Sequence, residues 1–225
     1  MKIKKKKWGW LRYNNKQQQY QGCVKDKRLW DSLCKRNKKN ELGNRFDGIL
    51  SDSPWDETAL ELGYPVMKDK EIFESIPLKK LQKNGFLFIW VTNKKFEVTL
   101  EYLKQNNYKR VELIVWIKLS EDLSLYQGIG YFLQHNCEFC IVAKSNERFE
   151  KLKERTLTHN LPNVIIEKVR KGSQKPDQLY DIMEKMLPKS RFLEIFSRPH
   201  NSRDKFTSVG NESITYLNTE IVENK

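Results

Sequence analysis

The chain has 225 residues, of which 38% are hydrophobic and 32% are charged, and this fits one α/β domain with a sizeable core. Its formal net charge of +13 indicates a nucleic-acid partner, because Lys and Arg neutralise phosphates and release counterions, although an acidic protein would also suit this charge. Four cysteines without a second Cys-x-x-Cys pair predict neither a disulfide framework nor a metal site. No apolar run reaches the roughly 18 residues of a membrane span, so we expect an intracellular protein.

The N-terminal segment combines basic and aromatic residues. Lysines beside Trp8 and Trp10 suit phosphate binding and base stacking or a nuclear address, but a solvated tail explains them equally well. Residues 25–39 place Leu29, Trp30 and Leu33 at helical spacing, which predicts a short basic helix. The candidate nucleic-acid-binding residues are Lys4, Lys5, Lys6, Lys7, Arg12, Lys35 and Arg36.

A short apolar run leads into the most informative stretch of the chain. Residues 46–51 predict one buried strand, and Asp52-Ser53-Pro54-Trp55 follows it directly. Ligands of open α/β sheets bind outside the carboxyl ends of strands, so a carboxylate before a rigid turn and a flat ring suits a planar base. The alternative is that the turn only ends the strand and that Trp55 caps the core.

The remainder of the chain alternates buried strands with helical segments. This alternation predicts βαβ units and a mostly parallel sheet with helices on both faces. The predicted strands are residues 86–91, 111–117, 137–143, 163–169 and 191–196, and the predicted helices are residues 69–76, 96–103, 147–155 and 175–187. Residues 121–136 follow neither pattern and are predicted to form an exposed functional or interface loop.

Two of the predicted strands end in polar clusters. Asp52 follows the first of them, and Arg198-Pro199-His200-Asn201 follows the last, with Asn211 shortly after. If these strands are neighbours in the sheet, both clusters border one crevice, which Lys175 would enter from a third side. Arg, His, Asn and Lys side chains are suitable donors for ribose hydroxyls and a carboxylate.

Six motifs, in the family's order, resemble the MT-A-seventy family of N6-adenine methyltransferases. That family includes the mRNA adenosine methyltransferase pair and DNA adenine methyltransferases of ciliates. Asp52-Ser53-Pro54-Trp55 is similar to its Asp-Pro-Pro-Trp signature. The other five motifs are residues 84–92 (NGFLFIWVT), 115–118 (VWIK), 175–177 (KPD), 194–201 (EIFSRPHN) and 210–211 (GN). The likeness covers roughly residues 46–212.

The resemblance implies a Rossmann-like fold that uses S-adenosylmethionine, with the catalytic motif preceding the main cofactor motifs. It implies that Asp52 accepts from the target amine, that Ser53 and Pro54 orient this amine, and that Trp55 stacks the flipped base. In-line methyl transfer of this kind is governed by positioning and charge placement. The implied cofactor-contacting residues are Lys175, Arg198, His200, Asn201, Asn211 and Glu212.

Several departures from the family pattern predict a supporting subunit with a degenerate site. Ser53 replaces the first proline of the signature, and Glu212 stands where active relatives often carry Gln. The loop over residues 121–136 lacks their Arg- and Gly-rich pattern, and Cys23-Val24-Lys25 is a poor substitute for the acidic motif before the signature strand. Catalytic and non-catalytic paralogues pair in this family. We therefore expect a nuclear heterodimer with a catalytic paralogue, joined by further DNA-binding subunits, in which S-adenosylmethionine is bound by the complex.

Two other hypotheses stay open. The retained Arg198-Pro199-His200-Asn201 favours an active methyltransferase, and the basic charge alone would suit a nucleic-acid-binding module without a methylation role. DNA is slightly favoured over RNA as the substrate. The predicted organisation is a basic arm with a short helix over residues 1–40, a methyltransferase-like domain over residues 41–215 and a tail over residues 216–225.

Deletion of residues 1–7 tests the predicted basic arm. We expect weaker binding to an adenine-containing oligonucleotide and a flatter dependence of log K on log salt, by about 0.9 for each phosphate that the arm neutralises in the intact chain. Fluorescence anisotropy at several salt concentrations measures both quantities, and deletion of residues 222–225 is the control. An unchanged salt slope would count against the arm.

Overall fold

The chain contains two compact units. The computed structural model describes residues 12–14, 18–56, 65–130, 132–145, 158, 160–213 and 220–221. The first unit is Met1–Lys83 with Arg191–Lys225, and the second unit is Asn84–Ser190. Among the described residues, no helix has the length and apolar character that crossing a membrane requires.

Strands and helices alternate along most of the described chain, which confirms the predicted α/β class. The described strands are β1 (Arg12–Asn14), β2 (Gln19–Gln21), β3 (Gly48–Ser51), β4 (Phe86–Val91), β5 (Tyr108–Leu119), β6 (Cys137–Ser145), β7 (Val164–Lys168), β8 (Phe192–Ile195), β9 (Phe206–Gly210) and β10 (Glu220–Ile221). The described α-helices are α1 (Lys27–Arg36), α2 (Asp69–Ser75), α3 (Leu78–Leu81), α4 (Phe96–Gln105) and α5 (Gln178–Met186). The helix predicted for residues 147–155 lies outside the described residues.

Parallel pairing organises the first unit. β3, β8, β9 and β2 lie side by side in that order and run in the same direction. β1 pairs antiparallel with both β2 and β10. On one face of this sheet the rings of Phe192 and Phe206 stack with centroids 4.7 Å apart. The carboxyl ends of four parallel strands therefore meet at one edge, which is where α/β proteins bind ligands.

Helix α1 is packed into the first unit. Asp26 caps its N-terminus by accepting a hydrogen bond from the Arg28 backbone amide at 3.0 Å. Leu29, Trp30 and Leu33 are buried on one side of the helix, and the basic residues lie on the other. The short basic helix predicted from the sequence is thus present and has an apolar stripe in the core.

The predicted domain boundaries stay predictions. β1, β2 and α1 precede residue 41 but are paired or packed within the first unit. β10 falls in the predicted tail and pairs with β1. Residues 1–11, which include the lysine-rich part of the predicted arm, lie outside the described residues.

Strand β6 reverses direction in the second unit. It pairs antiparallel with both β4 and β5, whereas β5 pairs parallel with β7. Parallel strands need a long crossover, usually helical, and the described residues between β5 and β6 form a loop without a helix. β4 is buried along its whole length, as its continuous apolar run predicted.

Leu33→Ala tests whether α1 contributes to the core. Leu33 is 0% exposed, so we expect the free energy of unfolding to fall by about 2–5 kcal/mol through lost burial and a residual cavity. Urea unfolding followed by far-UV circular dichroism measures the change. Lys35→Ala on the exposed side of the same helix is the control, with an expected change within about 0.5 kcal/mol. Equal effects of the two substitutions would contradict the packing of α1.

Candidate functional site

The two strands that end in polar clusters are neighbours in the sheet, which is the condition under which both clusters border one crevice. β3 pairs with β8 so that Ser51 is opposite Ile195, and the Asp52 amide donates to the Ile195 carbonyl at 3.5 Å. Asp52 and residues 197–201 therefore leave adjacent strands at the same edge. β9, on the other side of β8, brings Asn211 to this edge as well.

A buried carboxylate fixes the other end of this strand pair. Asp47 accepts hydrogen bonds from the side-chain amides of Asn40 and Asn44 at 2.8 and 3.1 Å. It also accepts from the Arg191 backbone amide at 3.3 Å, and its own amide donates to the Arg191 carbonyl at 2.8 Å. Because Arg191 directly precedes β8, these bonds hold β3 and β8 in register. Sequence reasoning missed this role, although an acid at the start of an apolar run was a visible signal.

The signature turn is closed by hydrogen bonds of its own. The Ser53 and Ser51 hydroxyl oxygens are 3.0 Å apart, and Ser53 is buried. The Ser53 carbonyl accepts from the Trp55 amide at 2.9 Å, and the Pro54 carbonyl accepts from the Met67 amide at 2.8 Å. The resemblance implies that Ser53 and Pro54 orient a target amine, and the backbone carbonyl of each therefore has one acceptor position already used.

Trp55 packs into the first unit. Only 7% of its surface is exposed, and its ring meets Phe73 edge-on with centroids 5.8 Å apart. Asp52, in contrast, is only half-buried. This packing matches the alternative in which Trp55 caps the core, and its predicted stacking role stays a prediction.

Glu194 organises the segment that follows β8. It is 1% exposed, and its carboxylate accepts from the Asn201 side-chain amide at 2.7 Å and from the Ser197 hydroxyl at 3.3 Å. Phe196, which lies between Glu194 and Ser197, adopts a φ of +64° in the left-handed region, and this turns the chain sharply out of β8. Sequence reasoning did not assign a role to Glu194, although it interrupts an otherwise apolar strand.

The other predicted cofactor residues of the first unit lie on exposed or half-exposed positions. The Arg198 guanidinium is 3.9 Å from the Glu212 carboxylate, and His200 is exposed in the turn after β8. The Asn211 backbone carbonyl accepts from the Gln21 side-chain amide at 2.9 Å. Arg198, Asn201, Asn211 and the end of β2 are thus all parts of one strand-end cluster.

Lys175 belongs to the second unit, where it pairs with Glu138. The Lys175 and Lys118 ammonium groups lie 3.0 and 2.8 Å from the two Glu138 carboxylate oxygens. The Lys175 nitrogen is also 5.8 Å from the Trp90 ring centroid, within range of a cation–π interaction. Burial alone would raise the pKa of the Glu138 carboxyl, but the charges of Lys175 and Lys118 hold that pKa below its usual range. Glu138 is a further residue that sequence reasoning did not single out.

The family assignment follows from the sequence comparisons. Residues 46–212 match the MT-A70 family profile. The chain belongs to the MT-A70 family. Over 187 residues it is 34% identical to the probable N(6)-adenosine-methyltransferase MT-A70-like protein of Oryza sativa, covering 81% of this chain and 25% of that protein. Over 184 residues it is 33% identical to the human N(6)-adenosine-methyltransferase catalytic subunit METTL3, covering 79% of this chain and 30% of that protein. The chain therefore spans less than a third of these relatives.

MT-A70 methyltransferases use S-adenosylmethionine, and the strand-end cluster has suitable groups for parts of this molecule. A Cβ on Gly210 would lie 2.6 Å from the Ser197 carbonyl oxygen, so only glycine lets β9 pass this close to β8. This approach carries Asn211 towards the segment that holds Arg198 and Asn201. Amide and guanidinium donors fit ribose hydroxyls and a carboxylate, and the Glu212 carboxylate fits a ribose hydroxyl as an acceptor.

The candidate nucleic-acid-binding residues of the MT-A70 chain are described only in part. Lys35 and Arg36 are exposed at the end of α1, and the Arg36 guanidinium lies 4.2 Å from the Tyr13 ring centroid. Arg12 is described by its backbone in β1, and residues 4–7 lie outside the described residues.

Across the described ranges, no group of His, Cys, Asp or Glu side chains is arranged to hold a metal ion.

Glu138→Gln tests the half-buried ion pairs of Glu138 with Lys118 and Lys175 through their pH dependence. The folded-state pKa of Glu138 is lowered, so its carboxylate adds stability above the unfolded-chain pKa of about 4.3 and loses it as pH falls through the folded pKa. We expect the variant to be less stable at pH 7, because two half-buried ammonium groups lose their counter-ion, and the difference to shrink below about pH 4.3. Urea unfolding across pH measures it.

The exposed pair of Glu121 and Lys168 provides the control for this experiment. Their nitrogen and oxygen atoms are 3.2 Å apart at the surface, so Glu121→Gln should change stability by less than about 1 kcal/mol at any pH. A stability difference for Glu138→Gln that stays constant from pH 7 to pH 3 would contradict the assigned role.

Proposed function

We propose that this chain is a supporting subunit of a nucleic-acid N6-adenine methyltransferase complex, in which a paralogous MT-A70 chain performs the methyl transfer. The packing of Trp55 carries the proposal. A ring that is 7% exposed and packed on Phe73 offers little free face to a flipped base. In this subunit the signature turn serves the core of the first unit.

The chemistry of Ser53 supports the same role. A proline at this position would restrict Asp52 to extended geometry, and serine removes that restriction. A misplacement of about 1 Å at a reacting centre can cost about a hundredfold in rate. With its hydroxyl directed to Ser51, Ser53 stabilises a strand end rather than the geometry of an incoming amine.

The basic surface defines what the supporting subunit contributes. The net charge of +13 and the exposed Lys35 and Arg36 suit binding to the phosphate backbone of the substrate. We propose DNA as the favoured substrate and the nucleus as the location, with further DNA-binding subunits in the same complex. S-adenosylmethionine supplies the methyl group, and the catalytic paralogue holds it in the reacting position.

An independently active methyltransferase is the second candidate. Two observations favour it: Glu194 holds Asn201 in a defined orientation within the strand-end cluster, and the human relative is named as a catalytic subunit. In this candidate Asp52 accepts a hydrogen bond from the target amine, and Trp55 has to leave its packed position to stack the base.

Reconstitution with an Asp-Pro-Pro-Trp-containing MT-A70 chain from the same organism separates the two candidates. Transfer of labelled methyl groups from S-adenosylmethionine to adenine-containing DNA and RNA oligonucleotides is measured for each chain and for the complex. We expect no transfer by this chain alone and transfer by the complex. Asp52→Asn should leave the activity of the complex within about twofold, because Asp52 does not contact the reacting amine.

The matched control is the equivalent Asp→Asn substitution in the signature of the catalytic paralogue, which should abolish transfer. Calorimetry with S-adenosylmethionine adds a readout that is independent of turnover, with one site expected per heterodimer. The second candidate would replace the proposal under two conditions. The isolated chain would have to methylate the oligonucleotide and lose this activity with Asp52→Asn, and it would have to bind S-adenosylmethionine with micromolar affinity.

A further inference from the structure

Basic side chains collect at the edge of the first unit where its parallel strands begin. Lys205 directly precedes β9, and Arg191 directly precedes β8. Lys38 and Lys39 lie in the segment that leads from α1 into β3. All of these side chains are exposed. The surface that they form with two neighbours is called here the basic edge, and its residues are Lys35, Lys38, Lys39, Lys83, Arg191 and Lys205.

Hydrogen bonds tie the segments of the basic edge together. The Arg191 guanidinium donates to the Lys38 carbonyl at 3.0 Å and to the Asn44 carbonyl at 3.3 Å. The Lys83 amide donates to the Asn44 side-chain oxygen at 2.8 Å. A Cβ on Gly43, whose φ is +77°, would lie 3.4 Å from the Lys83 side chain. The backbone of the basic edge is therefore pre-organised, which lowers the entropy cost of binding.

Arg45 joins helices α1 and α3 to the same surface. Its guanidinium donates to the Cys34 carbonyl at 3.3 Å and to the Lys80 carbonyl at 2.6 Å. Arg45 and Arg191 thus bind backbone carbonyls, and within the described part of the chain neither guanidinium forms an ion pair with a carboxylate. The positive charge of both arginines stays available to an anionic partner.

The composition of the basic edge indicates which kind of partner fits. Every residue in it is positively charged, and the exposed acids next to it in the chain are Glu41 and Asp204. None of the large apolar side chains that are exposed among the described residues belongs to it, and residues 35–45 contain no aromatic residue. Protein partners bind chiefly through aromatic and apolar anchors, and single strands stack on rings. A duplex needs only cations for its phosphates, so it fits this surface best.

The dimensions of the basic edge suit one strand of a duplex. Adjacent strands of a sheet lie about 4.8 Å apart, so the starts of β9, β8 and β3 span about 10 Å. One strand of a DNA duplex carries a phosphate for about every 3.4 Å of helix axis, which gives about three phosphates over this distance. From Asp47 to Asp52 the chain advances about 16 Å along β3, at about 3.3 Å per residue. A duplex on the basic edge therefore leaves the strand-end cluster open.

We propose that the basic edge binds the phosphate backbone of duplex DNA, whatever its base sequence, at a site separate from the strand-end cluster. This inference rests on the proposed function, in which the chain supplies basic surface to the substrate, and it gives that contact a place. Lys38, Lys39 and Lys205 neutralise phosphates, while Arg191 also holds the surface in shape. The contact anchors duplex that flanks the target adenine.

Lys38→Gln with Lys39→Gln tests the basic edge in the full-length chain. We expect the affinity for duplex DNA to fall more than about tenfold at about 0.1 M salt. The slope of log K against log salt should flatten by about 1.8, which is about 0.9 for each of the two lost phosphate contacts. Fluorescence anisotropy over a range of salt concentrations measures both quantities. Two duplexes of equal length and different sequence should give the same values, because phosphate contacts carry no sequence information.

Lys27→Gln with Lys70→Gln is the matched control. It removes the same number of charges from exposed positions of the first unit that lie outside the basic edge. Distant surface charges are screened beyond about 10 Å at 0.1 M salt, so its affinity should stay within about twofold. Lys38→Arg with Lys39→Arg keeps both charges and should also keep the affinity. Circular dichroism and the Tm check that each variant is folded.

The outcomes separate this inference from the proposed function. Unchanged affinity and salt slope of the glutamine variant would overturn the basic edge as a DNA site and leave the proposed function standing. A loss confined to single-stranded DNA would overturn it as well. Loss of binding to polyglutamate, with duplex binding unchanged, would replace the duplex with an acidic protein.

The reconstituted complex provides a second readout. There the glutamine variant should raise KM for a duplex substrate and leave kcat unchanged, because the basic edge does not contact the reacting atoms. An unchanged KM would contradict the anchoring role. Methyl transfer by the unmodified chain alone would overturn the proposed function, and the anisotropy result would still decide whether the basic edge binds DNA.

Discussion

The register between β3 and β8 depends on the buried carboxylate of Asp47. Asp47 binds Arg191 through both its side chain and its main chain, and Arg191 leads directly into β8. Each of the two strands is only four residues long, so a fixed start determines where each strand ends. Asp52 and the segment after Glu194 are neighbours for this reason. The chemistry of the strand-end cluster thus depends on a polar network at the opposite end of the same strands.

Continuous apolar runs made most of the fold predictable. A run such as that of β4 is compatible with a buried strand and with little else at that length, so its place in the core follows from local sequence. The direction of β6 was not predictable, because it depends on which edge is available after the loop. β1 and β2 are three residues each in a polar segment. They exist because β9 offers β2 an edge to pair with, which is tertiary information.

For the candidate site, the motifs predicted the correct edge of the sheet but not the partners of its side chains. A carboxylate inside an apolar strand, such as Glu138 or Glu194, is visible in the sequence. Its partner depends on which helix or loop reaches it in the fold, and here those partners are Lys175 and Asn201. The same limit applies to Trp55. Its type suggested a stacking surface, but the position of Phe73 on α2 decides how much of the ring is accessible.

The arrangement of the two units along the chain sets an order of events during synthesis. The second unit is one continuous segment, and its β5–β6 pair is local, so it can fold soon after Ser190 leaves the ribosome. The first unit needs β8 and β9 to complete the sheet around β2 and β3. At about 5–20 residues per second, its N-terminal part waits roughly ten to forty seconds for these strands. During that interval the apolar side of α1 and the strand after Asp47 lack their native partners and are exposed to non-native contacts.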